Sequence, residues 1–348
     1  MDEVIASGSQ QAPNRRVPTL KDIAALSGVA TSTVSRALST PGRVHWTTRE
    51  RVESAAAELG YMPNPAASGM NSRRTRTVAL LVPDIGNGFF LDLIRGTQRQ
   101  LRASGYAQLL VDTEEDDGLE ANYLDRLRPS ADGFILAASR LTDDQLVKVA
   151  ATVPIVTINR TSPGVPTVLI DTPHGVQQAV EHLFSLGHRK IAYMAGPATS
   201  WSDKRRWDAL KEIAKTLGIT ILRLGPFHPS QRSGGSAADA AIISGATGCI
   251  AFNDLVAIGM LVRLKERGVD VPGEISVVGC DDTFGADFSS PPLTTLTAPI
   301  EQAGRVATEM LLSRLQPSNT AERTQVELPT HLTIRASTGA APGPRKTP

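Results

Sequence analysis

From Thr77 onward, short apolar runs alternate with amphipathic stretches, and that alternation limits the folds open to the chain more than any other feature. Strand-length runs fall at 78–82, 108–111, 133–136, 155–158, 190–194, 219–222, 249–252 and 276–279. Helical spacing appears between and after them, at 89–103, 119–127, 142–150, 173–186, 203–217, 235–244, 254–267 and 300–315. Parallel strands need crossover connections, and the helices that supply them cover both faces of the sheet. At 348 residues the length suits two such sheets better than one. The expected fold is a small all-α domain joined to an α/β core of two doubly wound parallel-sheet subdomains.

The chain before Thr77 has a different texture. Residues 1–17 read as a disordered arm, and three short helices follow within 19–60. Thr19 with Asp22 forms a capping-box pattern ahead of Leu20, Ile23 and Ala24, and Gly28 supplies the stop. Thr31 or Ser32 opens a second helix that runs to Leu38. Thr47 with Glu50 repeats the capping box for a third helix through Leu59, closed by Gly60. The net charge of the chain is only +1, yet residues 14–76 carry ten basic residues against four acidic ones. A positive excess confined to one small unit points to a polyanionic partner for that unit.

The second helix is where such a partner is read. Val34, Ala37 and Leu38 share an inward face, leaving Thr31, Ser32, Ser35 and Arg36 outward. Short polar side chains let a helix approach base edges, and an arginine can pair bidentately with guanine O6 and N7. That stripe alone is common. The whole run TLKDIAALSGVATSTVSRAL at 19–38, with TRERV at 48–52 and AELGYMPN at 57–64, resembles the LacI/GalR repressor family, and the resemblance extends from about residue 17 to residue 338. It implies a helix-turn-helix with base-reading positions Thr31, Ser32 and Arg36. Thr19, Thr33, Ser35, Arg43, His45 and Thr48 match positions that hold phosphates, which fix register without reading sequence. Residues 64–70 match the family's minor-groove hinge helix, with Asn64, Ala67 and Met70 in the contacting positions. Methionine stands where the family usually has leucine as the wedge. Gly69 lowers helix propensity by roughly 1 kcal/mol relative to alanine.

For the rest of the chain the resemblance implies a regulatory core with the fold of periplasmic sugar-binding proteins, taking an effector between its subdomains. The resemblance implies an effector site at strand ends, where such crevices lie, made of Asn87, Phe89, Phe90, Asn159, Arg160, Trp201, Arg206, Phe227, Asn253 and Asp281. A phenylalanine ring can stack on a sugar face or a base, or simply start a helix core, and Trp201 is either a lid ring or a hydrophobic plug. Asn159 stands where the family usually has an acid, and Ala298 where many sugar-binding relatives have glutamine. Asp281 would accept from ligand hydroxyls, while Asp282 reads as structural.

The implied domains are an arm (1–17), a helix-turn-helix (18–63), a hinge and linker (64–76), a core (77–338) and a disordered tail (339–348). Within the core, 77–171 with 299–327 would form one subdomain and 172–298 with 328–338 the other. An enzyme is disfavoured: no glycine-rich phosphate loop opens a helix, and the six histidines show no metal spacing. No cofactor or metal is implied. Two cysteines make no disulfide framework, and neither a signal-type apolar segment nor a membrane-length run occurs. The expected protein is a cytoplasmic, nucleoid-associated, non-enzymatic transcription regulator, acting as a repressor. Its expected partners are double-stranded operator DNA, a sugar, sugar phosphate or nucleoside-like effector, and a second copy of itself. Without a leucine heptad in the tail, a dimer rather than a tetramer is expected.

Overall fold

The computed structural model describes residues 18–39, 41–61, 74–316 and 324–343. They fall into two units that divide between Thr75 and Arg76. In the first, α1 (Leu20–Ser27), α2 (Thr31–Ser39) and α3 (Trp46–Glu58) surround a small apolar centre, with a 3-10 turn at Pro41–Arg43. Ile23, Val34, Ala37, Val52, Ala55 and Ala56 form that centre, one stripe from each helix. Thr19 opens α1, its N–H and hydroxyl both donating to the Asp22 carboxylate at 2.7 and 2.6 Å. Gly28 ends it at φ 66°, a conformation that costs an L side chain strain.

The third helix departs from expectation. It starts at Trp46 with His45 as the N-cap and no side-chain capping bond, so the Thr47–Glu50 box does not form. Thr47 already lies inside the first turn, and its hydroxyl meets Nδ1 of His45 at 3.0 Å instead.

The second unit contains two six-stranded sheets. β1 (Thr77–Val82), β2 (Ala107–Asp112), β3 (Gly133–Ala137), β4 (Ile155–Ile158), β5 (Thr167–Ile170) and β11 (Gln325–Leu328) make the first, in the order β11-β5-β4-β3-β1-β2. The second comprises β6 (Lys190–Met194), β7 (Thr220–Leu224), β8 (Gly248–Ala251), β9 (Ser276–Cys280), β10 (Thr294–Thr297) and β12 (His331–Thr333), ordered β12-β10-β9-β8-β6-β7. All pairs are parallel except β10 with β12, where Leu296 faces Leu332. The chain passes between the sheets three times, after β5, after β10 and after β11.

Helices cover both faces of each sheet, as buried parallel strands require. On the first sheet, α4 (Gly88–Ala103) and α11 (Ile300–Arg314) pack on one face, and α5 (Asp117–Leu127) with α6 (Asp143–Ala150) on the other. On the second, α7 (Thr172–Ser185) and α8 (Trp201–Leu217) lie opposite α9 (Gln231–Ser244) and α10 (Asp254–Glu266). α8 starts two residues before the expected 203 because Ser200 caps it, accepting from the Asp203 N–H at 3.2 Å. Asn87, Asp116, Asp171 and Asn253 cap their helices in the same way. Polar residues therefore gather where strands give way to helices.

Two of these helices meet with no room for a side chain. A Cβ on Gly259 of α10 would lie 2.0 Å from the Gln231 carbonyl oxygen, whereas one on Gly235 of α9 would touch nothing within 4 Å. Alanine gains up to about 1 kcal/mol of helix propensity over glycine, but overpacking a rigid backbone contact costs about 1–3 kcal/mol. Gly259→Ala is therefore expected to lower the thermal midpoint by several degrees, and Gly235→Ala to leave it level or raise it. Scanning calorimetry of both variants tests the pair; equal shifts would show that α9 and α10 can slide apart.

Candidate ligand cleft and nucleic-acid interface

The C-terminal ends of the parallel strands converge on a cleft, and the backbone there is unusually bent. Among the described residues, seven that are not glycine have positive φ, and six of them lie within three residues after a strand: Glu114 (52°), Glu115 (60°), Ala138 (47°), Asn159 (54°), Asp281 (121°) and Asp282 (51°). Each such residue costs roughly 1–3 kcal/mol and persists where surrounding packing fixes it, commonly at binding sites. The cleft leaves about 50 Å³ of open space, enough for a few water molecules.

Seven of the ten expected effector residues line it: Asn87, Phe89, Phe90, Asn159, Arg206, Asn253 and Asp281. Phe89 and Phe90 meet edge to face at 5.0 Å; both start α4 and both border the cleft. The asparagine oxygens are committed to backbone. Asn87 accepts from Phe89 N–H at 3.1 Å, Asn159 from Ile170 N–H at 2.9 Å and Asn253 from Val256 N–H at 3.0 Å. What Asn87 and Asn159 offer a ligand is thus an amide donor.

Three expected residues lie outside the lining. Arg160 donates to the Leu141 carbonyl at 2.9 Å and pairs with Asp143 at 2.8 Å, so its guanidinium ties the β4 loop to α6. Trp201 is half-buried beneath the Arg205 guanidinium, 5.1 Å from its ring centre. Phe227 packs against the core between the second sheet and helices α9 and α10. In their places stand Glu115, Ala138, Arg140, Ser200, Ser202, Pro229 and Phe252, none of them anticipated. Ser200 and Ser202 flank Trp201, and Pro229 lies two residues from Phe227, so strand-end position marked these neighbourhoods without resolving which side chain turns inward.

Arg206 dominates the cleft electrostatically. Its guanidinium stacks on Phe252 at 5.0 Å and donates from Nη1 to the Phe252 carbonyl. Nε is the one buried side-chain nitrogen or oxygen among the described residues without a partner. Burial works against the arginine charge, but the acidic groups around it, Asp281 and Asp203 among them, outweigh it and keep the group protonated. Burial also pushes the Asp281 carboxyl up to about 8, against the pull of Arg206, with Asp254 adding to the rise. Asp254 is itself pushed up to about 6 by burial, although Thr295 and Thr283 donate to it. Asp282 is held by Arg335 at 2.7 Å and Thr297 at 2.8 Å, a structural role.

The Asp281 shift has a measurable sign. Folding favours the neutral carboxyl, so its contribution to stability is full below about pH 4 and is lost as the pH rises to about 8. Asp281→Asn removes that loss. Its thermal midpoint relative to the parent is expected to rise between pH 5 and pH 8, measured without ligand. An equal difference at both pH values would contradict burial as the cause.

The first unit presents a separate surface. Thr31, Ser32 and Arg36 are exposed on α2, while Val34 and Ala37 are buried. Arg43 and His45 are exposed, and Thr33, Ser35 and Thr48 are half-buried. The Thr19 hydroxyl is engaged by Asp22. The hinge positions Asn64, Ala67 and Met70 lie outside the described residues. Among the described residues, no group of three or more His, Cys, Asp or Glu could hold a metal ion, and no helix is long and apolar enough to cross a membrane.

Comparison with known proteins joins the two surfaces. Residues 19–64 match the bacterial regulatory proteins of the lacI family, and residues 180–338 match the periplasmic binding protein-like domain. The HTH-type transcriptional repressor CytR of Escherichia coli (strain K12) is 32% identical over 332 residues, covering 93% of this chain and 97% of that protein. The ribose operon repressor of Bacillus subtilis (strain 168) is 32% identical over 313 residues, 89% of this chain and 95% of that one. A crystal structure of the lac repressor dimer bound to operator and an anti-inducer superposes with a TM-score of 0.82 at 27% identity, covering 93% of this chain and all of that one.

Proposed function

The chain belongs to the LacI family of bacterial regulatory proteins, and from that premise we propose that it is a transcriptional repressor that binds a palindromic operator as a dimer and releases or engages it under control of a small-molecule effector. The observation that carries the effector half is the buried, unpartnered Nε of Arg206, a residue that lines the cleft with the strained strand-end loops. A buried donor left unmatched costs about 1–3 kcal/mol, and a ligand acceptor in the cleft recovers it. The operator half rests on the exposed Thr31, Ser32 and Arg36 stripe carried by a helix whose other face is buried.

In this reading Thr31, Ser32 and Arg36 read bases. Thr19, Thr33, Ser35, Arg43, His45 and Thr48 hold phosphates. The two sheets belong to two subdomains, 77–171 with 299–327 and 172–298 with 328–338, and effector binding alters their closure. The protein works in the cytoplasm, on the nucleoid, and has no catalytic role.

Selection of bound duplexes from a random pool tests the operator half, with an inverted repeat expected, each half-site containing a guanine. A single unrepeated site, or no enrichment, would reject it. Thermal-shift screening of sugars, sugar phosphates and nucleosides tests the effector half, because a ligand that binds only the folded protein raises its midpoint.

A further inference from the structure

Two charged residues that the expected site did not contain, Glu115 and Arg140, stand on the first-sheet wall of the cleft. They come from the loops after β2 and β3, and the loop conformations that bring them inward include positive φ at Glu114, Glu115 and Ala138. Their side chains are 14% and 4% exposed. Nε and Nη2 of Arg140 both donate to Glu115, and both bonds converge on Oε2. The Arg140 N–H donates to the Glu120 carboxylate at 2.9 Å, which fixes the backbone beneath the pair. No described residue takes Oε1 of Glu115 or Nη1 of Arg140. One carboxylate oxygen and one guanidinium nitrogen of this ion pair therefore remain uncommitted in a wall of the cleft.

That arrangement has a definite complement. One hydroxyl of a vicinal diol can donate to a carboxylate oxygen while its neighbour accepts from a guanidinium. The opposite wall offers the same two functions, Nε of Arg206 as donor and Asp281 as acceptor, with Phe252 beneath Arg206. Each guanidinium in the cleft thus has its own carboxyl group. Even with Asp281 protonated, one excess positive charge does not balance a phosphate near −2, and Glu115 repels it directly. Resting on the effector reading of this cleft, we propose that the Glu115–Arg140 ion pair is its specificity element, taking a vicinal diol of an uncharged sugar or nucleoside and rejecting the phosphorylated counterpart.

Calorimetric titration of the full chain with matched probes tests this: D-ribose against D-ribose 5-phosphate, D-glucose against D-glucose 6-phosphate, uridine against uridine 5′-monophosphate. The neutral member of at least one pair is expected to bind, at least tenfold more tightly than its phosphate. Which pair responds separates a sugar from a nucleoside as the source of the diol. Glu115→Gln is expected to narrow that preference at least tenfold, a ratio that a merely structural role would not move. Glu115→Asp keeps the charge but withdraws it by one methylene, so it should weaken the neutral ligand while still rejecting the phosphate. It also carries the test if Glu115→Gln does not fold. A parent protein that prefers phosphorylated probes or binds no neutral one overturns the proposal, as does an unchanged ratio in folded Glu115→Gln. Arg206→Ala, titrated in parallel, separates the two levels. If it abolishes binding while Glu115→Gln behaves as the parent, only the ion-pair inference fails; if it too binds normally, the cleft reading fails.

Discussion

Arg206→Ala is expected to weaken effector binding by about 10²-fold or more while operator affinity without effector stays near that of the parent. The guanidinium lies wholly inside the core unit, stacked on Phe252, with Nε unmatched. A hydrogen bond from a charged donor contributes about 1.5–3 kcal/mol, and a ligand acceptor buried without its partner forfeits about 1–3 kcal/mol of desolvation. Each 1.4 kcal/mol is tenfold in affinity, so these losses account for the expected drop. Arg206→Lys is expected to recover only part of it, because an ammonium is a point donor and cannot reproduce the planar fork. Calorimetry gives the effector affinity and fluorescence anisotropy the operator affinity. Normal effector binding by Arg206→Ala would remove the cleft from the mechanism.

The second large effect belongs to the other surface. Arg36→Ala is expected to cost about 1–3 kcal/mol per half-site and to flatten the preference at one base pair of each. A dimer on an inverted repeat feels that loss twice. Arg43→Ala, at an exposed position of the 3-10 turn, is expected to weaken all duplexes alike and to make the salt dependence shallower by about one ion per protomer. The contrast between the two variants carries the test, since any basic side chain near DNA lowers affinity when removed. If Arg36→Ala leaves the base-preference profile unaltered, α2 does not read the major groove.

Much of the architecture was legible because buried parallel strands are apolar throughout. β4 and β6 fall at the positions expected from their runs, and α4 and α5 within two residues of theirs. β10 illustrates what escapes. Its sequence, Thr-Thr-Leu-Thr, has one aliphatic residue, yet Thr294 and Thr295 are completely buried. Their hydroxyls find partners in Thr338 and Asp254, contacts made by residues more than forty positions away. β5, β11 and β12 escaped as well, being only three or four residues long, and in β11 and β12 polar residues interrupt any apolar run.

In the cleft, the asparagines and the Phe89–Phe90 pair that the family resemblance implied do stand at strand ends and line it. Glu115 and Arg140 were not anticipated, because acidic and basic loop residues ordinarily read as solvated. Only the tertiary fold brings them together across 25 residues of sequence. Arg160 also sits at a strand end, but its long side chain reaches away to α6.

The three crossings between the sheets bear on how the protein is made. β11 is the edge of the first sheet against β5, and β12 the edge of the second against β10. Both strands come from residues 325–333. While a ribosome is still short of Gln325, the nascent chain exposes the edges of β5 and β10 that the finished sheets cover, and β5 is buried along its whole length in the finished protein. Exposed apolar edges are templates for pairing with other chains. A truncation upstream of Gln325 would therefore do more than shorten the protein; it would release a molecule with two sites for aggregation, and chaperone demand during synthesis should peak just before those last strands emerge.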